Sequence, residues 1–287
     1  MKFEVLEPRT LDEAVFLLGK APEETRVIAG GQSLLLMIRS GLVMPRFLLS
    51  LSNLKELSEI TLAPEKNVYI GATVTHREVL NSQLLSQQAA ILLQAAFRIG
   101  STPVRNFGTL GGNLCHNEMG SDPPPALLAL NASVECVSSR GKRKLPLADL
   151  LTDYFETSLR PDEILIGIEI PSISPNLKTV YLKHTFRSGD LALVGVAAMI
   201  SIQDGVCEEM RLALGGVGPV PFRAIEAEKL ARQRKLDKEV IEEVAVAAAD
   251  ASDPISDAHA SADYRKKMAR VFVRRALQGL TSAGEHA

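Results

Sequence analysis

Two glycine pairs constrain this chain more than any other feature. The first stands in VIAGGQSLLLMI, residues 27–38, where Gly30 and Gly31 close one apolar run and precede another. The second stands in GTLGGNLCHNEMGSDPPPALLAL, where Gly111 and Gly112 are followed by Asn113 and later by Asp122 ahead of three prolines. Glycine at a strand-to-helix junction admits positive φ and lets a ligand approach the backbone closely. Successive N–H groups can converge there on an anion, and a helix N-terminus adds partial positive charge. Each loop therefore has the chemistry to hold a phosphate, and two such loops from separate sub-sheets suit one elongated ligand carrying two phosphates. Neither matches G-x-G-x-x-G in a doubly wound unit or G-x-x-x-x-G-K-[ST], which argues against the common nicotinamide and nucleoside triphosphate cradles. A dinucleotide held in another way remains.

The rest of the pattern divides into three regions, 1–55, 56–173 and 178–287. In the first, KFEVL reads as a strand and TLDEAVFLLGK as a helix opened by a Thr10/Glu13 capping box. TRVIAG and RFLLSLS follow as strands, so the β-α-β order implies a small parallel sheet with Gly30 and Gly31 at the carboxyl end of its second strand. The second region alternates short strands with helical segments around His76–Leu80 and Leu84–Ile99. ASVECVSSRGKRKLPL reads as a hairpin turning at Arg140–Lys142, with the basic run RGKRK as a solvated turn, and EILIGIEIP places Ile164, Ile166, Ile168 and Ile170 in period two. A linker marked by Pro171 and Pro175 precedes a third region of three antiparallel strands, with Asp204-Gly205 as a hairpin turn, and three helices. The last helix sets Tyr264, Met268, Val271 and Leu277 broadly on one side; its Arg274-Arg275 pair reads either as a solvated face or as a partner contact.

Composition removes several function classes. Of 287 residues, 46% are hydrophobic, enough for a sizeable core. The 32 Lys and Arg nearly balance 34 Asp and Glu, for a net charge of −2, so no long-range field recruits nucleic acid or anionic lipid. No apolar run approaches the roughly 18 residues that cross a bilayer, and the first residues carry no secretory pattern, so a cytoplasmic location is expected. Three cysteines without C-x-x-C spacing cannot supply four thiolates to an iron–sulfur cluster, and five scattered histidines give no metal motif.

AGGQSLL and TLGGNL at this separation, with SDPPPALLAL after the second and EILIGIEIP later, resemble the FAD-binding medium subunit of the molybdenum hydroxylases. That family includes the flavin subunit of carbon monoxide dehydrogenase and the flavin domain of xanthine dehydrogenase, and the resemblance extends over essentially the whole chain. It implies an α+β architecture: the two-subdomain FAD-binding fold of the vanillyl-alcohol oxidase (PCMH) type, plus a C-terminal domain of a small antiparallel sheet and a helical bundle. It also implies an oxidoreductase subunit with non-covalent FAD, since Gln32 stands where covalent flavoproteins often present a histidine. A large molybdopterin subunit and a small subunit with two [2Fe-2S] clusters would be its partners, in a dimer of heterotrimers, and NAD, a quinone or oxygen its electron acceptor. The chemistry on the substrate would belong to the large subunit, which leaves no catalytic residue and no metal ligand on this chain.

Residue by residue, the resemblance implies that Ala29, Gly30, Gly31, Gln32, Ser33 and Leu34 wrap the FAD pyrophosphate through backbone N–H groups. Thr109, Leu110, Gly111, Gly112 and Asn113 would close the other side, the Thr109 hydroxyl serving as a further donor. Asp122 would accept hydrogen bonds from the adenosine side, Leu165 would touch the isoalloxazine, and Lys183 would stand as a cation near its edge. From the residues alone, Asp122 is also a turn or cap residue, Leu165 could face either side of its strand, and Lys183 could be exposed. His116 reaches the cofactor or fills its loop, His76 reads as a helix-start residue and Cys115 as a packed small residue. Leu191 stands after Gly189-Asp190 where some relatives carry tyrosine beside the flavin. Two other classes compete: a free-standing FAD-dependent oxidoreductase with its own substrate site, and a protein that binds FAD only as a carrier.

Overall fold

The computed structural model describes residues 3–63 and 65–282, so the outermost bounds of the first and third regions lie outside it. Each region builds around its own sheet. In the first, β1 (Glu4–Leu6), β2 (Thr25–Ile28) and β3 (Phe47–Ser50) form a parallel sheet in the order β1-β3-β2. Helix α1 (Leu11–Lys20) crosses between β1 and β2, burying Ala14, Val15 and Leu18, and α2 (Leu34–Arg39) follows the first glycine pair. The Thr10 hydroxyl accepts from the Glu13 N–H, as a cap should, but the Glu13 carboxylate turns to the Arg9 N–H, one residue earlier than a capping box requires.

The second region begins with β4 (Ile60–Leu62) and β5 (Val68–Gly71). Its helices are α3 (His76–Asn81), α4 (Gln83–Gln88), α5 (Ala90–Phe97), α6 (Thr102–Phe107), α7 (Leu110–His116) and α8 (Pro123–Ala129). Here the full capping box occurs, at Thr75 and Glu78, and it fixes the start of α3 with His76 as the first helical residue. Then come β6 (Ser133–Ser138), β7 (Gly141–Pro146), α9 (Leu147–Leu150), the small pair β8 (Leu151–Asp153) and β9 (Glu156–Thr157), and β10 (Ile164–Ile170). The main sheet has the order β4-β5-β10-β6-β7 and is antiparallel throughout.

Two expectations for this sheet are corrected. The hairpin turns at Ser139-Arg140, because Ser138 pairs with Gly141, and Lys142, Arg143 and Lys144 belong to the edge strand β7. There the basic run is stitched to β10 and the segment before it: Arg143 meets the buried Glu163 through two nitrogens at 2.8 and 2.6 Å, and Lys144 meets Glu169 at 2.7 Å. The second correction concerns β10, whose isoleucines do not share one face. A bulge between Leu165 and Gly167 inserts one residue and reverses the alternation. Ile164 and Ile166 enter the small core beneath the parallel sheet, with Leu18 and Leu49, while Ile168 and Ile170 enter the large core with Leu127 and Val134.

The third region is an antiparallel sheet of β11 (Lys178–His184), β12 (Val194–Gln203), β13 (Val206–Gly215) and the two-residue β14 (Phe222–Arg223), one strand more than expected. Asp204 and Gly205 both have positive φ, 51° and 81°, which suits a two-residue hairpin turn. Helices α10 (Ile225–Ala231), α11 (Lys238–Asp250) and α12 (Ala262–Ser282) cover one face. The buried stripe of α12 is Arg265, Ala269, Val273, Ala276, Leu277 and Leu280, so of the four residues expected to share a face only Leu277 belongs to it. Small residues at 269, 273 and 276 let the helix sit close to the sheet, and Tyr264 is left 41% exposed. Arg274 and Arg275 engage the chain itself, Arg274 with Glu242 at 3.2 Å and Arg275 over the Phe272 ring.

The charge at the head of that stripe is the feature that hydrophobic patterning misses. Arg265 is 2% exposed and donates to the carbonyls of Leu193 and Gly216 and, at 2.6 Å, to Asp257. Asp257 is solvated, so the cost of removing Arg265 falls on the two buried carbonyls, each left unsatisfied at about 1 to 3 kcal/mol, and together this is about 3 to 5 kcal/mol. Arg265→Ala is therefore expected to lose stability of that order in urea unfolding, against about 1 kcal/mol or less for Arg274→Ala on the same helix.

Candidate functional site

A cleft opens where the ends of the parallel sheet, the second sheet and the third region meet, and both glycine loops border it. The first loop leaves β2 at Ile28. Gly31 takes φ +69°, a left-handed conformation that glycine adopts without strain, and the Gln32 amide folds back to the Gly30 carbonyl at 3.2 Å. Among the described residues, no protein acceptor receives the backbone N–H groups of Ala29, Gly30, Gly31, Gln32, Ser33 or Leu34, and all six residues line the cleft. Backbone donors left together in this way form a concave anion site.

The second loop is held differently. The Leu110 N–H donates to Val74, the Gly111 N–H to Ala72, the Gly112 N–H to the Thr109 hydroxyl at 3.2 Å, and the Asn113 N–H to the Thr109 carbonyl. Four of the five backbone donors expected to close over the phosphates are thus engaged, two in docking α7 onto the second sheet and two in capping α7, while among the described residues no protein acceptor receives the Thr109 N–H. Thr109, Gly112 and Asn113 still line the cleft, and the Thr109 hydroxyl keeps its own proton for donation. Leu110 and Gly111 do not: Leu110 is fully buried in the large core, and a Cβ on Gly111 would lie 2.6 Å from the Ala72 carbonyl oxygen, so this glycine serves packing.

The two loops touch with no room for a side chain. A Cβ on Gly30 would fall 1.8 Å from the Phe107 carbonyl oxygen, at the end of α6. From the opposite wall, His76 donates its N–H to the Gly108 carbonyl, and Thr75 bridges Thr109, so α3 and the second loop form one unit.

Asp122 and Lys183 also line the cleft, as one buried pair. The Lys183 ammonium lies 2.7 Å from Asp122 Oδ2, both side chains are at most 5% exposed, and the ammonium also donates to the Arg98 carbonyl at 3.0 Å. Asp122 Oδ1 accepts from the Tyr181 hydroxyl at 2.8 Å. Burial pushes the Asp122 carboxyl upward against the opposing pull of Lys183 and Tyr181. Groups in direct contact cannot serve opposite ends of an extended dinucleotide, so Asp122 on the adenosine and Lys183 at the ring do not hold together. Leu165, expected against the isoalloxazine, is 4% exposed, pairs with Cys136 in the sheet and packs into the large core away from the cleft.

Other cleft residues carry less charge than their types suggest. His76 is 3% exposed, and burial, with the nearby Arg105 charge, pushes its imidazole down to about 4, so it is neutral and its Nδ1 has no partner. His116 is lowered by burial and its ring lies 5.3 Å from that of Phe155. Burial pushes the Cys115 thiol up to about 12, which excludes a thiolate there. Glu118, which nothing in its local sequence distinguishes, borders the cleft with its carboxyl raised by burial. Gly189, Asp190 and the 54% exposed Leu191 form the rim. Tyr181 was overlooked although a signal existed, since strand alternation sets it on the same face as Lys183. Among the described residues there is no cluster of His, Cys, Asp or Glu suited to a metal, and no helix is long and apolar enough to cross a membrane.

A strand-end nest of free N–H groups, opposed by a second glycine loop and roofed by a separate sheet-and-helix domain, defines an FAD-binding subunit of α+β architecture. Residues 1–173 match the family described as the FAD binding domain in molybdopterin dehydrogenase, and residues 180–280 match the CO dehydrogenase flavoprotein C-terminal domain. The chain belongs to this family of FAD-containing oxidoreductase subunits. It is 33% identical to the glyceraldehyde dehydrogenase medium chain of Sulfolobus acidocaldarius, over 96% of this chain and 98% of that one. With the nicotine 6-hydroxylase medium subunit of Paenarthrobacter nicotinovorans it shares 35% identity over 94% of each. Its fold superposes on carbon monoxide dehydrogenase from Hydrogenophaga pseudoflava with a TM-score of 0.95 at 30% identity, covering 98% of both chains. For quinoline 2-oxidoreductase from Pseudomonas putida 86 the TM-score is 0.94 at 32% identity, covering 99% of this chain and 98% of that one.

Two measurements follow from this geometry. Gly31→Val forces a β-branched residue to φ +69°, where the backbone penalty is roughly 1 to 2 kcal/mol. Its N–H must then leave the nest, so the purified variant is expected to keep its far-UV circular dichroism and to lose most of its bound FAD. The second concerns His76. Its folded pKa lies below the unfolded value, so the unfolded chain binds the extra proton, and stability is lost as pH falls from about 6.5 toward 4. Between pH 7 and pH 5 this amounts to about 2 kcal/mol. In urea unfolding at the two pH values, His76→Gln should show a drop smaller than wild type by that order.

Proposed function

We propose that this chain is the electron-transfer subunit of a molybdenum hydroxylase complex. In this reading it takes electrons one at a time from the [2Fe-2S] clusters of a small subunit and passes them through FAD to an external acceptor, while a large subunit with a molybdopterin centre hydroxylates the substrate. The six N–H groups of residues 29–34, which among the described residues have no protein acceptor, carry the proposal, because a consecutive run of such donors fits the pyrophosphate of a dinucleotide. Matches to relatives named as medium chains or subunits along nearly the whole chain support the place in a larger assembly.

The residues divide the work. Ala29, Gly30, Gly31, Gln32, Ser33 and Leu34 hold the pyrophosphate; Thr109, Gly112 and Asn113 face it from the second loop. Lys183, anchored by Asp122, presents its ammonium beside the flavin ring, where positive charge favours the reduced, anionic form. Bound FAD supplies the step between one-electron donors and a two-electron acceptor. Neutral His76 and the un-ionised Cys115 are walls that keep water out. We place the complex in the cytoplasm as a dimer of heterotrimers, with NAD, a quinone or oxygen as acceptor, and take regions 1–55, 56–173 and 178–287 as its working units.

An affinity pull-down of the tagged chain from its native cells, with an absorption spectrum and iron and molybdenum analysis, tests this. Flavin together with iron, molybdenum and two further polypeptides is the expected result. Flavin on the chain alone, reducible by NADH or a small organic substrate, would replace the proposal with a free-standing flavoenzyme.

A further inference from the structure

We propose that Tyr181 is a positioning residue for the redox end of the cofactor: its hydroxyl locks Asp122 against Lys183, and the locked pair holds the Lys183 ammonium at the flavin ring. The inference rests on the placing of Lys183 beside that ring.

Tyr181 does not line the cleft, but it touches a residue that does. Its side chain is 3% exposed, its hydroxyl donates to Asp122 Oδ1 at 2.8 Å, and its own N–H is tied to Gln94 on α5 at 2.7 Å. The neighbouring strand leaves space for the hydroxyl, since a Cβ on Gly195 would lie 2.7 Å from it. Both Asp122 oxygens are then engaged, one by Tyr181 and one by Lys183, and two of the three Lys183 N–H directions are taken, by Asp122 and by the Arg98 carbonyl. A carboxylate held at both oxygens cannot rotate. An ammonium held at two hydrogens points its third in one direction, and in a buried wall such a fixed charge acts on a neighbour far more strongly than a mobile one in water. Without the Tyr181 hydroxyl, Asp122 is free to turn about its side-chain bonds and Lys183 follows it away from the cleft.

The test uses the full chain loaded with FAD and reads the two-electron midpoint potential by spectroelectrochemistry. Tyr181→Phe keeps the ring and removes only the hydroxyl. We expect the potential to move about 30 mV negative, which for a two-electron couple is a tenfold weaker hold on the reduced flavin relative to the oxidised. Adding Tyr181→Phe to an Asp122→Asn background should then produce no further shift, because the tyrosine acts through that carboxylate. Gly195→Ala, which crowds the hydroxyl off its position, gives the same negative shift and serves if Tyr181→Phe fails to fold. A wild-type potential in Tyr181→Phe alongside a shifted one in Lys183→Met overturns the inference alone and leaves Tyr181 as packing. Unchanged potentials in both variants, with FAD still stoichiometric, overturn the placing of Lys183 at the ring and this inference with it.

Discussion

The cleft depends on a contact from which a side chain has been removed. Gly30 lies against the Phe107 carbonyl at a distance that no Cβ can occupy, so the end of a parallel strand and the loop between α6 and α7 come together as bare backbone. This closeness sets where the first loop lies, and Gly31, at positive φ, carries the chain on through residues that line the cleft. The second loop is the rigid side of the arrangement, because the N–H groups of Leu110, Gly111, Gly112 and Asn113 are spent on Val74, Ala72 and Thr109. One loop thus offers hydrogen bonds to a ligand and the other fixes the wall opposite. That division explains why two similar glycine pairs have different partners.

The strand β10 performs a comparable double task. Through the bulge at Leu165 and Gly167 it contributes Ile164 and Ile166 to one core and Ile168 and Ile170 to another. A strand buried on both faces joins the parallel sheet to the antiparallel one without a linker between them. The basic edge strand β7 and its pairs with Glu163 and Glu169 secure this junction from the side. Edge strands rich in lysine and arginine also resist pairing with other chains.

Much of the fold was legible in the sequence, and the parts that were not have physical reasons. The β-α-β start, the linker after Pro171 and the Asp204-Gly205 hairpin follow from local chemistry, which needs only neighbouring residues. The alternation of four isoleucines was misread because a bulge shifts phase and leaves no mark on composition. Arg265 was missed because patterning scores a charge as exposed, whereas here two main-chain carbonyls and Asp257 wait for it. At the site, the first loop was readable as a glycine turn at a strand end, where Gly31 takes a positive φ. The fate of the second loop's donors was not, since it is decided by Ala72 and Val74 in another strand. Likewise Asp122 and Lys183 were read as separate groups, because their contact joins segments far apart in the chain.

The contact between Asp122 and β11 also bears on how this protein can be divided. Its two family domains meet at a short linker, which suggests independent modules, yet Tyr181 and Lys183 lie beyond the linker and complete a carboxylate that lies before it. The loop carrying Asp122 is further pinned by the Ala192 N–H to Gly120 and the Gly216 N–H to Met119. A gene split at the linker would strip Asp122 of both its side-chain partners in one product and leave Lys183 without its counter-ion in the other. The boundary visible in sequence is therefore not a boundary in the packing: any exchange of the C-terminal domain must carry a matching tyrosine and lysine to keep the Asp122 contacts.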